Sequence, residues 1–378
     1  MLLRLSATRV LAALAALAVV GLCVIVLAAW SGVYNVAASR GHWAVVDLFL
    51  RFAMRNSVQA HAPDIQPPRL DDADLVRLGA GHFYGGCAYC HGAPGTPINP
   101  ISQSMLPPPP VLREQLGLWT DQELFWIIKH GIKYAGMPAW VAQDRDDEVW
   151  ALVAFLRRLP GLDPQAYLAL ALGDVAIEPP NGRRTAIGQR STNVVEACGR
   201  CHGFDDRPPD SALVPRLHGQ SRDMLFHALQ AYASGERHSG IMQPIAIGLS
   251  QTEMRELADY YSGLPAPPRR DDAPAQGALL EAGERLALQG DEAAEIPACL
   301  SCHGAAALPI YPRLAAQHAP YMANQLRAWQ RGPKGRTATD AIMAPIARRL
   351  SEQQIVALSA YFASLPADAP DTQGARKP

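Results

Sequence analysis

Six cysteines stand in three copies of one layout: Cys87-Ala88-Tyr89-Cys90-His91, Cys198-Gly199-Arg200-Cys201-His202 and Cys299-Leu300-Ser301-Cys302-His303, each followed by a glycine. Two thiols three positions apart with an imidazole next in line admit three chemistries: a zinc site, a redox-active dithiol, or a covalent anchor for haem. The local string alone leaves all three open. The seventh cysteine, Cys23, lies inside an apolar run and reads as a small hydrophobe. No thiol outside that run is left over for a disulfide framework unless the pairs close on themselves.

The surrounding chain weighs the three. A structural zinc site needs four ligands, usually from two cysteine pairs. Here each copy has one pair and one His, so the fourth would be a thioether, a poor zinc ligand. A thioredoxin-like dithiol expects a preceding strand in a βαβ pattern, and it gives no reason for a His after every pair. Covalent haem c uses every feature: both thiols become thioethers and the His an axial ligand. The sixth position then falls to a Met 40–46 residues further on, namely Met137, Met242 and Met343. His/Met ligation raises the potential and closes the iron to outside ligands, an arrangement for electron transfer.

The elements that must position these residues repeat with them. His202 to Met242 and His303 to Met343 are both 40 residues, and 241–265 aligns with 342–366 without a gap. "PRLHGQ" (215–220) likewise matches "PRLAAQ" (312–317). The first copy is more distant, with 46 residues from His91 to Met137. In all three, a Leu-Pro pair places Pro160, Pro265 and Pro366 23 residues after the Met. Five before each Pro stands an aromatic (Phe155, Tyr260, Tyr361) and eight before stands a leucine (Leu152, Leu257, Leu358). That spacing predicts one buried face on a helix stopped by proline. Each copy is read as opening with a helical stretch before its motif, as over 72–87 and 278–290, and no alternating strand is visible between motifs.

Each unit resembles a class I cytochrome c domain, and the last two together resemble the dihaem cytochromes of the c4 type. The resemblance covers nearly all of 70–367. It implies a mainly α fold, three tandem cytochrome c domains and three covalently bound haem c groups. It assigns thioether links to Cys87/Cys90, Cys198/Cys201 and Cys299/Cys302. Proximal iron ligands are then His91, His202 and His303, and distal ones Met137, Met242 and Met343. It also implies a proline carbonyl orienting each proximal ring: Pro215, Pro312 and one of Pro107–Pro110. Met105 is the competing distal candidate in the first unit. Met224, Met254 and Met322 read as core, and His82, His130, His218, His227, His238 and His318 as surface or packing residues. Trp126, Trp140 and Trp329 are expected on haem faces or nearby helices.

Composition bounds the rest. Of 378 residues 49% are hydrophobic, the formal net charge is −1, and no basic patch favours nucleic acid. Residues 1–61 are net basic by four charges and 62–165 net acidic by four. Arg4 and Arg9 precede an uninterrupted apolar run over 10–30, whose 21 residues reach about 31 Å, enough for a hydrocarbon core. It reads as an uncleaved anchor with residues 1–9 in the cytoplasm and the bulk in the periplasm, on the bacterial inner membrane. Next, 31–69 holds a helix over 41–56, expected to lie near the membrane or to pack on a partner or on the first domain. The expected boundaries are domain 1 over 70–162, a linker over 163–182 that lets it move, domain 2 over 183–267, domain 3 over 272–367 and a disordered tail over 368–378. Domains 2 and 3 are expected to pack as a pair.

No acid/base pair, nucleophile or phosphate loop accompanies the haem ligands, so the chain reads as an electron-transfer protein or subunit and not as an enzyme. The expected partners are redox proteins: a terminal oxidase as acceptor, with a bc1 complex or a small soluble cytochrome as donor. The alternative is the electron-accepting subunit of a periplasmic dehydrogenase for alcohols, aldehydes or sugars. A dihaem-type peroxidase or gas sensor needs a displaceable sixth ligand, and a Met in every copy weighs against it.

Overall fold

The computed structural model describes residues 7–173, 194–205, 207–265, 277–304, 308–332, 335 and 337–367. The expected tail and residues 1–6, 174–193 and 266–276 lie outside them. Among the described residues the fold is helical without named strands; only isolated bridges such as Asp291 with Ile296 occur.

Helix α1 (Ala7–Ser31) is apolar from Val10 to Trp30, and its large side chains over that stretch are exposed. At 1.5 Å per residue its 25 residues reach about 38 Å. Helix α2 (Ala44–His61) is longer than the expected 41–56 and packs its carboxyl-terminal part on the first unit: Val58 is buried and His61 meets Trp126 at 5.7 Å between ring centroids. Its other face stays bare. Val45, Leu48, Phe49 and Phe52, spaced i, i+3, i+4 and i+7, are each at least 65% exposed.

The first unit is built from α3 (Ala73–His82), α4 (Asp121–His130), α5 (Asp146–Arg158) and α6 (Pro164–Leu172). Thr120 and Glu123 form a reciprocal capping box that starts α4. Helix α5 is the expected proline-terminated helix, with Leu152 and Phe155 both buried. Helix α6 corrects the expected linker. Asp163 caps it by accepting from the Ala166 amide, and Tyr167, Ala171 and Leu172 join the core around Phe83 and Phe155. An apolar stretch with its own cap gains more by packing than by spanning water.

The second unit contains α7 (Val194–His202), α8 (Arg222–Ala233) and α9 (Gln251–Gly263). The third contains α10 (Ala278–Gln289), α11 (Ala319–Arg331), α12 (Ala338–Arg349) and α13 (Glu352–Ser364). Helix α9 departs from the expected face. Tyr260 is half-buried while Tyr261, one residue on, is buried and donates to the Gly203 carbonyl at 3.1 Å. Leu257 therefore shares its face with the residue four positions on, not three; both spacings fit a helix.

Opening and closing helices cross at glycine in the two units where both are described. A Cβ on Gly79 of α3 would lie 2.0 Å from the Ala151 carbonyl oxygen of α5. One on Gly283 of α10 would lie 2.3 Å from that of Ala357 on α13. Only the missing side chain lets these backbones approach so closely.

The units touch one another. Between the second and third, the Gln317 side chain accepts from the Arg216 amide at 3.0 Å and donates to its carbonyl at 3.1 Å. Gln220 does the same to Arg313, at 3.0 and 2.8 Å. These are matching positions of "PRLHGQ" and "PRLAAQ", so the contact is reciprocal, as a two-fold interface requires. The first unit, which the linker was expected to let move, is docked on the second: Ser211 Oγ donates to the Asp74 carbonyl at 2.9 Å, Arg77 donates to the Asp210 carbonyl at 3.0 Å, and Ile241 packs against the first unit's core.

Candidate haem sites

The same five-residue motif is presented in three local ways. In the first unit α3 widens into a π-type turn over Phe83–Cys87, where the Ala88 amide donates to the Phe83 carbonyl, and a short helix Ala88–His91 follows. In the second, α7 runs straight through the motif. In the third, a short helix Leu300–His303 follows a loop. Glycine ends the first two turns at φ +69° (Gly92) and +79° (Gly203), where a side chain would be strained.

All three imidazoles share one partner type. His91 Nδ1 lies 3.1 Å from the Pro110 carbonyl oxygen, His202 Nδ1 3.1 Å from that of Pro215, and His303 Nδ1 2.9 Å from that of Pro312. A carbonyl accepts only, so Nδ1 carries the proton and donates, which leaves Nε2 as the basic nitrogen. Burial keeps the rings neutral, lowering His202 to about 4 and lowering His91 and His303 as well.

The first thiol of each pair is moved the other way. Burial pushes Cys87 up to about 12 and Cys198 and Cys299 up to about 11. A working dithiol needs a depressed value, so these surroundings oppose thiolate chemistry and suit a thioether sulfur. Among the described residues, no three His, Cys, Asp or Glu side chains converge as a zinc site would require.

One cavity of about 1710 Å³ joins the second and third sites. Its walls include Cys198, Cys201, His202 and Met242 on one side and Cys299, Cys302, His303 and Met343 on the other. A single small-ligand pocket is roughly 300–1,000 Å³, so this space has room for two large flat groups, with a set of Cys, His and Met residues from each unit in its walls. The first motif stands apart from it. There Gly131, at φ +62°, closes α4 so tightly that a Cβ would meet the Met137 carbonyl oxygen at 2.6 Å; this turn carries Met137 across to the first core. Met105 is nearer than its place in the chain suggests: its methyl sits where a Gly136 side chain would start.

The other candidates have contacts of their own, although Met224, Met322, His227 and Trp329 also line the shared cavity. Met254 and Met322 are core residues, and Met224 packs on the second core. His82 meets Trp140 edge-on at 4.8 Å, and burial lowers it to about 4. His227 bonds the Asp223 carbonyl, His238 Asp144, and His318 accepts from Arg216. His130 lies against Trp126, and His218 against Tyr261. Trp329 donates its indole N–H to Asp340 at 2.8 Å, and Trp140 to Glu148 at 3.3 Å. Sequence reasoning missed Gln220, Gln317 and Glu148. The twin "PRLxxQ" strings signalled the first two; Glu148 had no sequence signal.

Comparison with known proteins agrees with this chemistry. Residues 63–156 match the family described as cytochrome c oxidase, cbb3-type, subunit III, and residues 281–366 the family described as cytochrome c. The chain is 35% identical over 208 residues to the thiosulfate dehydrogenase electron acceptor of Stutzerimonas stutzeri, covering 94% of that protein and 53% of this one. It is 34% identical to the protein of the same name from Thiomonas intermedia, over 79% of it and 45% of this chain. It is 31% identical to cytochrome c4 of Pseudomonas aeruginosa, over 96% of it and 52% of this chain.

Proposed function

This chain belongs to the c-type cytochromes related to cytochrome c4, and on that premise we propose that it is a membrane-tethered trihaem carrier passing electrons along a periplasmic respiratory chain. The observation that carries the reading is the triple arrangement itself: a thiol pair, a proline-oriented neutral imidazole and a downstream Met, three times in one chain. Haem c, when bound, supplies reversible one-electron chemistry at its iron.

The protein's own residues do the rest. Cys87/Cys90, Cys198/Cys201 and Cys299/Cys302 hold the group in place. His91, His202 and His303 present Nε2 because Nδ1 donates to proline carbonyls, and that bond raises imidazole basicity. Met137, Met242 and Met343 would each offer a thioether sulfur to the bound group's iron. The shared cavity places the second and third sites in one largely apolar space, where less solvent would rearrange as charge moves.

Helix α1 serves as the anchor, and the bare stripe of α2 lies in the membrane interface beside it. Only 12 residues separate Ser31 from Ala44, a reach of at most about 43 Å, so α2 stays near the bilayer. Its exposed Val45, Leu48, Phe49 and Phe52 offer an apolar face to it.

The match of 63–156 to an oxidase subunit family supports a terminal oxidase as acceptor. A second reading is favoured by the relatives named as electron acceptors of thiosulfate dehydrogenase: the chain takes electrons from a periplasmic dehydrogenase. Mild-detergent purification from native membranes with mass spectrometry of co-purifying proteins separates them. Haem-copper oxidase subunits are expected; a dehydrogenase without any oxidase would overturn the preferred acceptor.

A further inference from the structure

Glu148 lies on α5 of the first unit, yet much of what it holds belongs to the second. Its side chain is 3% exposed and has four donors. Oε1 accepts from Ser239 Oγ at 2.6 Å and pairs with Arg145 Nη1 at 3.0 Å. Oε2 accepts from the Gly240 amide at 2.6 Å and from Trp140 Nε1 at 3.3 Å. Ser239 passes the hold onward, because its hydroxyl oxygen accepts the amides of Ile241 and Met242 at 3.3 and 3.0 Å. A buried carboxylate with its acceptor sites filled is costly to disturb, so the loop it grips is held rigidly.

Sterics add to the grip. A Cβ on Gly240 would lie 2.1 Å from Trp140 Cε2, so the indole rests directly on that backbone. Arg145 also donates to the His238 carbonyl at 3.3 Å, and Asp144 meets His238 Nδ1 at 3.2 Å. Every residue from His238 to Ile241 thus touches the first unit, and Met242 comes next.

The third unit provides an internal comparison. Three residues before Met343 stands Asp340, buried, accepting from Trp329 Nε1 at 2.8 Å and from the Thr337 hydroxyl at 2.5 Å. Three residues before Met242 stands Ser239. The second repeat has no carboxylate of its own at this place, and a carboxylate–indole pair reaches it from outside.

We propose that the first unit completes the distal segment of the second: Glu148 and Trp140 take the part that Asp340 and Trp329 play within the third unit, making Glu148 a positioning residue for Met242. This rests on Met242 being a distal haem ligand. Trp140 is also three residues from Met137, so one carboxylate ties the distal segments of two sites together. Ligation at the second site then depends on the first unit being docked.

The test uses the full haem-loaded chain in detergent. The Met-to-iron charge-transfer absorption of the oxidised protein and the resolved midpoint potentials are compared among wild type, Glu148→Ala, Glu148→Gln and the reference Met242→Leu. Glu148→Ala is expected to lose the component that Met242→Leu loses and to shift that site's potential, leaving Met343's component intact. Glu148→Gln keeps the shape but turns an amide N–H towards one pair of donors, so a smaller loss at the same component is expected. An unchanged spectrum and potentials in Glu148→Ala would overturn the inference. So would a loss confined to the Met137 component. If Glu148→Ala fails to assemble, Glu148→Gln decides by the same criteria. Wild type with no component assignable to Met242 would instead sink the ligand reading itself, independently of Glu148.

Discussion

At the scale of single residues, three different backbones deliver one chemical arrangement. The π-type turn before Ala88, the continuous α7 and the short Leu300–His303 helix all end with Nδ1 facing a proline carbonyl. The Met assignments follow from what a thioether does at the sixth position. Met137→Leu, Met242→Leu and Met343→Leu should each open one iron to carbon monoxide in the reduced protein, while wild type binds little; spectrophotometric titration checks this. If Met137→Leu alone stays closed, Met105 is the ligand of the first site. His82 allows a pH prediction. Burial lowers it from 6.5 to about 4, so the fold holds it neutral while the unfolded chain protonates near 6.5. Its contribution is complete above about 6.5 and is lost as pH falls towards 4, by at most about 3 kcal/mol. Thermal melts at pH 7.5 and 4.5 should therefore differ less in His82→Phe than in wild type.

At the scale of elements, the helix crossings are the most exacting feature. Gly79 and Gly283 each face a backbone carbonyl that cannot swing aside as a side chain could. Gly79→Ala and Gly283→Ala should each cost about 1–3 kcal/mol by overpacking, measured by chemical denaturation. Gly85→Ala, with nothing within 4 Å of its Cβ position, is the control expected to change little. Helix α2 tests the membrane reading. Its Phe49→Glu and Phe52→Glu variants should leave the fold intact, because both side chains are exposed. They should weaken binding of a chain lacking α1 to lipid vesicles, read by co-sedimentation. Binding unchanged by both would remove α2 from the interface.

At the scale of the whole molecule, two interfaces of different character join the units. The Gln220–Arg313 and Gln317–Arg216 contacts are neutral and reciprocal. The first unit's contact is asymmetric and centred on buried charge. Removing one glutamine leaves a backbone N–H and C=O without partners, at about 1–3 kcal/mol for each group left bare. Gln220→Ala and Gln317→Ala should each separate the unfolding of the second and third units in calorimetry, and their combination should be less than additive because either change already breaks the shared interface. Arg145 and Glu148 should also be less than additive, for a different reason: Arg145→Ala leaves the buried Glu148 carboxylate without its cation, whereas Glu148→Ala leaves Arg145 still paired with Asp147, so the pair together costs less than the sum.

The motif, its three copies, the Met at matching distances, the long apolar N-terminal helix and the proline-stopped helices are legible in the chain because each is a local matter of spacing or periodicity. Even there, one residue of register separated Tyr260 from the buried Tyr261, since both lie near the core-facing arc and only packing chooses between them. The expected linker failed at 163–172 for a similar reason: an apolar stretch without a strong amphipathic pattern becomes a core helix only once a core is present to receive it. What tertiary structure alone decided is which units share a cavity, and which residue of one unit serves another. Glu148 looks in sequence like any acidic residue in the first turn of a helix, where it would favour the amide dipole from the surface. It becomes a buried clasp only because docking brings Ser239 and Gly240 to it across 91 and 92 residues of chain, and no local periodicity encodes a contact of that range.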